Sequence, residues 1–216
     1  MTGNTYIDPG AVTREAYEIS RTSRGIARKF VGDSGPEDRI RQRTSIAVGD
    51  FEMAELIRFC EDPIPAILAA LERNAPIITD IRMVQVGIQK KGHDCEVLCA
   101  LDYGEEIAIS KEITRTSAGF LALQDKIDGA IIVIGNAPSA LITVCSMIQE
   151  GTARPAAIIG VPVGFVNAAE SKELLRHVVI PSISTEGTRG GTPVAVAALN
   201  ECITIHIERG NAGSGN

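Results

Sequence analysis

Three short stretches of this chain have the composition of anion sites. Gly135-Asn136-Ala137-Pro138-Ser139 follows an apolar run and opens a helical one. Its backbone N–H groups and the helix start would face a negative charge. Thr188-Arg189-Gly190-Gly191-Thr192 joins two glycines, a guanidinium and a capping threonine, which suits a carboxylate or a phosphate. Arg115 stands among hydroxyls in Thr114-Arg115-Thr116-Ser117, just before helical sequence, as a carboxylate clamp would. Each stretch also has a plainer reading: a tight turn, a surface loop, a solvated arginine. The Gly135 loop carries neither the Gly-Lys-Ser/Thr of a Walker loop nor the G-x-G-x-x-G of a dinucleotide fold.

Other chemistry is not favoured by the spacing. His206 falls on the polar phase of ITIHIE and is expected at the surface. His177 follows Lys172 and Arg176 near a helix end, where a positive charge complements the dipole. His93-Asp94-Cys95 with Cys99 suggests a metal site, but on a strand Cys95 and Cys99 would lie ~13 Å apart. No metal is expected. No Ser-His-Asp or Cys-His set and no carboxylate pair assembles by position.

The elements that must carry these loops read as α/β. The first third is helical: Ala11 to about Val31, a short helix after Pro36, FEMAELIRFC capped by Asp50, and IPAILAALERN after Asp62-Pro63. From residue 76 strands and helices alternate. Strands are expected at 76–79, 95–101, 130–134, 156–161 and 178–181, and a half-exposed edge strand at 203–208. Helices are expected at 117–126, from Ala140 to Gly151, at 170–177 and from Thr192-Pro193 onward. The fold is then doubly wound, a mostly parallel sheet with helices on both faces, and ligands meet it at the carboxyl ends of the strands. One domain is expected over residues 1–209, with a disordered tail at 210–216, GNAGSGN.

Composition narrows the function classes. Of 216 residues 44% are hydrophobic and 22% charged, which excludes a disordered or collagen-like chain. A net charge of −6 argues against nucleic acid as a partner. No apolar run reaches the ~20 residues of a membrane span, and MTGNTYIDPG has no secretory pattern. The odd number of cysteines, five, all within apolar patterns, reads as reduced core thiols in a cytoplasmic protein.

Several stretches together resemble the precorrin-8X methylmutase family of cobalamin biosynthesis. They are Ile134-Gly135-Asn136-Ala137-Pro138-Ser139-Ala140-Leu141, the run from Pro155 to Val166, and Ala169-Glu170-Ser171-Lys172. Thr188-Arg189-Gly190-Gly191-Thr192 with Ala197-Ala198-Leu199-Asn200, Asp80 with Met83-Val84, Thr114-Arg115-Thr116-Ser117-Ala118 and Gly49-Asp50-Phe51 also match. Order and spacing hold from about residue 7 to 200.

The resemblance implies a homodimer that binds an acidic tetrapyrrole, precorrin-8X or cobalt-precorrin-8. It implies migration of a methyl group from C-11 to C-12, giving hydrogenobyrinate or cobyrinate, with no cofactor. By the same resemblance Arg43, Tyr17, Asp80, Met83, Arg115, Ser117, Gly135, Asn136, Ser139, Arg189, Gly190 and Gly191 are expected to bind substrate. The family places a proton-transferring histidine in an Arg-x-x-His-x-x-Gly-Asp stretch. Here that stretch runs from Arg43 to Asp50, and the histidine slot holds Ile46, which transfers no proton. Ser45 and Tyr17 are the candidate substitutes, and a corrinoid-binding relative without chemistry is the alternative reading.

Overall fold

A computed structural model of the chain describes residues 13–213. The helices α1 (Arg14–Val31), α2 (Pro36–Val48) and α3 (Glu52–Leu56) come first. Then follow β1 (Ile57–Cys60), α4 (Pro63–Glu72), β2 (Ile77–Thr79), α5 (Arg82–Gly87), β3 (Val97–Cys99) and a 3-10 turn over Ala100–Asp102. Next are α6 (Glu105–Lys111), α7 (Arg115–Ala122), α8 (Gln124–Ile127), β4 (Ile131–Ile134), α9 (Pro138–Gln149) and β5 (Ala157–Gly160). The described residues end with α10 (Ala168–His177), β6 (Ser182–Thr185) and α11 (Thr192–Gly213).

Among the described residues the strands form one six-stranded sheet in the order β1-β6-β5-β4-β2-β3. All neighbours are parallel except the edge pair β1–β6, which is antiparallel with Ile57 opposite Thr185. Alternate residues of the central strands feed two cores, as the pleat requires. Ile131, Val133 and Ile159 face one core, with Leu199 and Cys202 of α11. Ile132, Ile134 and Ile158 face the other, with Leu141 of α9 and Phe120 of α7. Every residue of β4 is wholly buried, each worth ~1.5–3 kcal/mol in apolar surface removed from water. This is the doubly wound fold expected, with helices on both faces.

Several expectations are corrected. The helix over FEMAELIRFC stops at Leu56, and Ile57–Cys60 becomes β1. Pairing with β6 gives this β-branched and aromatic segment a ladder that local preference does not anticipate. The strand expected at 178–181 lies four residues later, at Ser182–Thr185. Its serines look like loop residues, yet Ser182 and Ser184 are buried and only Ile183 enters an apolar core. The edge strand expected at 203–208 is the continuation of α11. No glycine or proline lies between Pro193 and Gly210 to stop that helix. The alternation of ITIHIE is incidental to a helical stripe of Ala195, Ala198, Leu199, Cys202, Ile203 and Ile205. The helix also runs into the expected tail as far as Gly213; residues 214–216 and the start of the first expected helix, at Ala11, lie outside the described residues. Cys60 is half-buried rather than a core thiol, whereas the other four cysteines are buried and free.

Candidate functional site

The five parallel strands end together at Thr79, Cys99, Ile134, Gly160 and Thr185, and the loops that follow hold most of the expected site residues. The Gly135 loop has its charge already. Asp80, wholly buried directly after β2, points its carboxylate into it. Oδ2 accepts from Asn136 N–H at 2.7 Å and Ala137 N–H at 2.8 Å. Oδ1 accepts from Gly135 N–H at 3.2 Å and from Ile81 N–H at 3.0 Å. Burial pushes the Asp80 carboxyl above its ordinary value, against the pull of these N–H donors. The expectation that these amides meet an external anion is therefore corrected, because a side chain of the same protein fills the nest. The exposed side chain of Asn136 and the half-buried Ser139 are what the loop offers outward.

Ser139 is tied to the next loop. Thr114 caps α7, its Oγ1 accepting from Ser117 N–H at 3.3 Å. That hydroxyl also donates to Ser117 Oγ at 2.9 Å and lies 2.8 Å from Ser139 Oγ. The starts of α7 and α9 thus meet through Thr114, Ser117 and Ser139. Arg115, the first residue of α7, donates to Leu101 O at 3.1 Å and reaches Glu105 at only 3.9 Å. Its side chain is 54% exposed, so its charge stays open to solvent. Gly119 makes this placement feasible: a Cβ there would meet Ala100 O at 2.0 Å, so only glycine lets α7 lie on the 3-10 turn. On α5, Arg82 pairs with Asp102 at 2.5 Å, and Met83 is 61% exposed beside it in sequence.

The Arg189 loop is held from three sides. Gly191 N–H donates to Val161 O at 2.7 Å, and Gly164 N–H to Thr188 O at 3.1 Å. Gly190, at φ +156°, has room for no Cβ, since Val161 O would lie 2.3 Å away. From beneath, Lys172 Nζ donates to Arg189 O at 2.7 Å and Thr185 Oγ1 at 3.0 Å. Lys172 is wholly buried on the inner face of α10 with Ala168, Ser171 and Leu175, and burial, then Arg176, brings its ammonium down to about 8. The Arg189 guanidinium turns to the N-terminal helices, pairing with Asp50 and, at 3.0 Å, with Glu52.

Arg43 is likewise engaged inside the chain. It donates to Glu201 Oε2 and Thr204 Oγ1, both at 3.1 Å. Glu201 is wholly buried on α11 and also pairs with Arg24 and, at 2.8 Å, with Arg39. Burial alone would raise its pKa; Arg24 first, then Arg39 and Arg43, reverse this and hold it below the ordinary range. This cluster clamps α1 and α2 onto α11, and removing the acid would leave buried arginine charge unpaired, at a cost of ~3–5 kcal/mol. Near the end of α2, Ile46 is 37% exposed, whereas Ser45 is buried with no hydrogen-bond partner for Oγ. Ser45 therefore does not face solvent, and Tyr17, half-buried on α1, is the more accessible of the two substitutes.

The structure thus brings Asp80 to Gly135 and Asn136, and Ser117 to Ser139. It commits Arg43 and Arg189 to internal ion pairs and leaves Arg115 and Met83 outward. Lys172 and Glu201 were not singled out as functional from sequence. Each is a charged residue on the buried stripe of an amphipathic helix, and that mismatch is the signal that could have found them. His93 and His177 are engaged locally, Nε2 of His93 with Gln89 O and Nδ1 of His177 with Glu173 O. His206, expected at the surface, is half-buried on α11. Among the described residues no group of three or more His, Cys, Asp or Glu is placed to hold a metal ion, and no helix is long and apolar enough to cross a membrane.

Known proteins share this frame. A cobalt-precorrin-8 methylmutase of Methanocaldococcus jannaschii is 40% identical over 205 residues, covering 90% of this chain and 96% of that protein. A second, from Methanothermobacter thermautotrophicus, is 40% identical over 93% of this chain and 98% of its own length. The solved structure of precorrin-8X methyl mutase from Thermus thermophilus superposes with a TM-score of 0.82 at 34% identity, covering 90% of this chain and 98% of that one. The profile of the family described as precorrin-8X methylmutase matches residues 18–205. With fold, loop order and nearly the whole length in common, this chain belongs to the precorrin-8X methylmutase family.

Proposed function

We propose that the protein carries out the family's isomerisation, moving a methyl group from C-11 to C-12 of precorrin-8X or its cobalt form, to give hydrogenobyrinate or cobyrinate. The observation that carries this is the 40% identity to a cobalt-precorrin-8 methylmutase over 96% of that protein. In the reaction one carbon–carbon bond breaks and another forms, and the formula is unchanged. No oxidant, reductant or net proton is needed, and a proton taken up at the ring is given back. The protein's work is to bind, orient and exclude water. Arg115, Asn136 and Ser139 offer donors to ring carboxylates, while Ile46 presents an aliphatic surface to the reacting edge. A proton step, where one is used, falls to Tyr17 or to water. The chain acts as one cytoplasmic α/β domain in a homodimer.

Incubation with precorrin-8X and with cobalt-precorrin-8, followed by absorption spectra, tests the reading. Isomerisation changes the conjugated system, so a new spectrum that grows with time is expected. Ile46 favours a second reading, a corrinoid carrier without chemistry, and a bound ligand whose ring stays unchanged for hours would establish it. A protein that takes up neither compound would refute both.

A further inference from the structure

The loop between β5 and α10 carries an apolar tip that stands exposed among the described residues. Val163 is 45% exposed, Phe165 97% and Val166 76%. The sequence has only five phenylalanines, three tyrosines and no tryptophan, so one of eight aromatic side chains is held almost wholly in water. The backbone beneath it is well fixed. Val161 N–H donates to Ile134 O at 2.9 Å, Gly164 N–H to Thr188 O at 3.1 Å, and Ser171 N–H to Asn167 O at 2.9 Å. Asn167 sits in the left-handed region at φ +61° and turns the chain into α10.

Topology fixes where this tip stands. β5 lies between β4 and β6, so its loop rises at the carboxyl end of the sheet between the Gly135 loop and the Arg189 loop. Gly191 lies under it: a Cβ there would be 3.4 Å from Val163 Cγ1. One sheet position beyond the Gly135 loop, α5 adds exposed Met83 and Val86. The same end of the sheet thus has exposed apolar side chains on the β5 loop and on α5, with the polar Asn136 and Ser139 of the β4 loop between them and Arg115 after β3. A corrinoid precursor has the complementary form, a broad apolar ring edged with carboxylates. An exposed apolar patch rimmed by polar groups marks a binding surface.

We infer that the Val163–Val166 loop is the apolar platform for the face of the macrocycle, with Phe165 in direct contact with the ring. This rests on the reading that the protein binds a corrinoid. Phe165 makes no core contact, so Phe165→Ala should leave thermal unfolding unchanged and weaken binding of hydrogenobyrinic acid by about tenfold or more. Val179→Ala, at a site 84% exposed before β6 and so at the other end of the sheet, should change neither. Phe165→Trp would give the chain its single tryptophan, whose emission should shift to the blue on saturation; that of Val179→Trp should not. If wild-type protein binds no hydrogenobyrinic acid, the corrinoid reading fails and this inference with it. If wild type binds and Phe165→Ala binds within twofold of it, the inference alone is overturned. If Phe165→Ala alters the sedimentation coefficient, the loop is a contact with a second copy of the chain, and the inference is overturned whatever the affinity.

Discussion

Asp80→Asn removes one acceptor oxygen and puts an NH2 group in its place. In the protein each carboxylate oxygen accepts from two backbone N–H groups, Ile81 and Gly135 on one, Asn136 and Ala137 on the other. Whichever way the amide is turned, its NH2 faces two N–H donors that then have no acceptor. A buried donor left unpaired costs ~1–3 kcal/mol, so the variant should lose ~2–6 kcal/mol. Relief of the buried charge, which pushes the Asp80 carboxyl upward, sets the outcome towards the lower half of that range. Urea unfolding should show a lower midpoint with an unchanged slope, and amide exchange at Gly135, Asn136 and Ala137 should accelerate. Asp80→Ala should be partly rescued by formate, since the small anion fits the vacated nest, whereas wild type should not respond to formate. A loss under ~1 kcal/mol for Asp80→Asn, with exchange at the three amides unaltered, would refute the claim that the carboxylate holds this loop.

Three further expectations can be measured directly. The Lys172 ammonium falls from 10.5 in the unfolded chain to about 8 in the protein, so between those values the unfolded state binds more protons and stability rises with pH. At ~1.4 kcal/mol per pKa unit the full rise is ~3 kcal/mol, and urea unfolding from pH 7.5 to 10.5 should show it in wild type relative to Lys172→Met. Arg115→Ala should weaken hydrogenobyrinic acid binding by about fivefold to tenfold, less than for a buried clamp because half the side chain is in solvent; titration at two ionic strengths should find wild type the more salt-sensitive. Ile46→His places an imidazole where solvent already reaches and should raise turnover by at least ~10-fold, the low side of what acid–base assistance supplies, with stability changed by under ~1 kcal/mol. A variant that binds substrate normally and gains no rate would show that the reaction does not use a proton donor at this position.

The parallel core was legible because buried strands such as Ala130–Ile134 are unbroken apolar runs between turn signals. The helix expected at 117–126 was legible in place but not in its bounds: it starts at Arg115, capped by Thr114, and divides at Leu123 into α7 and α8. What could not be read depends on partners distant in sequence. Ile57–Cys60 is a strand because β6, more than 120 residues on, pairs with it, and no local pattern records that. The Gly135 loop has the composition of an anion site, and it is one; the anion is supplied by Asp80, 55 residues earlier. Sequence shows which groups attract one another in kind, while the fold decides whether the partner is internal or a ligand. Arg43 and Arg189 show the same limit, because each arginine suits a substrate carboxylate and each has found an acid of its own chain.

Those internal pairings bear on how an acidic protein holds an acidic ligand. A chain of net charge −6 repels a polycarboxylate unless positive potential is concentrated at the site. Arg189 is outnumbered by Asp50 and Glu52, and Arg82 is matched by Asp102, so neither loop adds net attraction. Around Glu201 the guanidinium groups of Arg24, Arg39 and Arg43 gather with Glu201 and Glu208, and Arg43 puts a positive charge on α2. Arg115 adds another, joined only loosely to Glu105. Both lie on elements fixed by buried contacts, α2 by Glu201 and α7 by Gly119. On the proposed reading, the attraction would be built in before the ligand arrives, and binding would not spend energy on ordering long side chains. On the same reading, the neutral donors Asn136 and Ser139 would set orientation without adding charge. The apolar tip at Phe165 contributes the part of the affinity that salt does not screen.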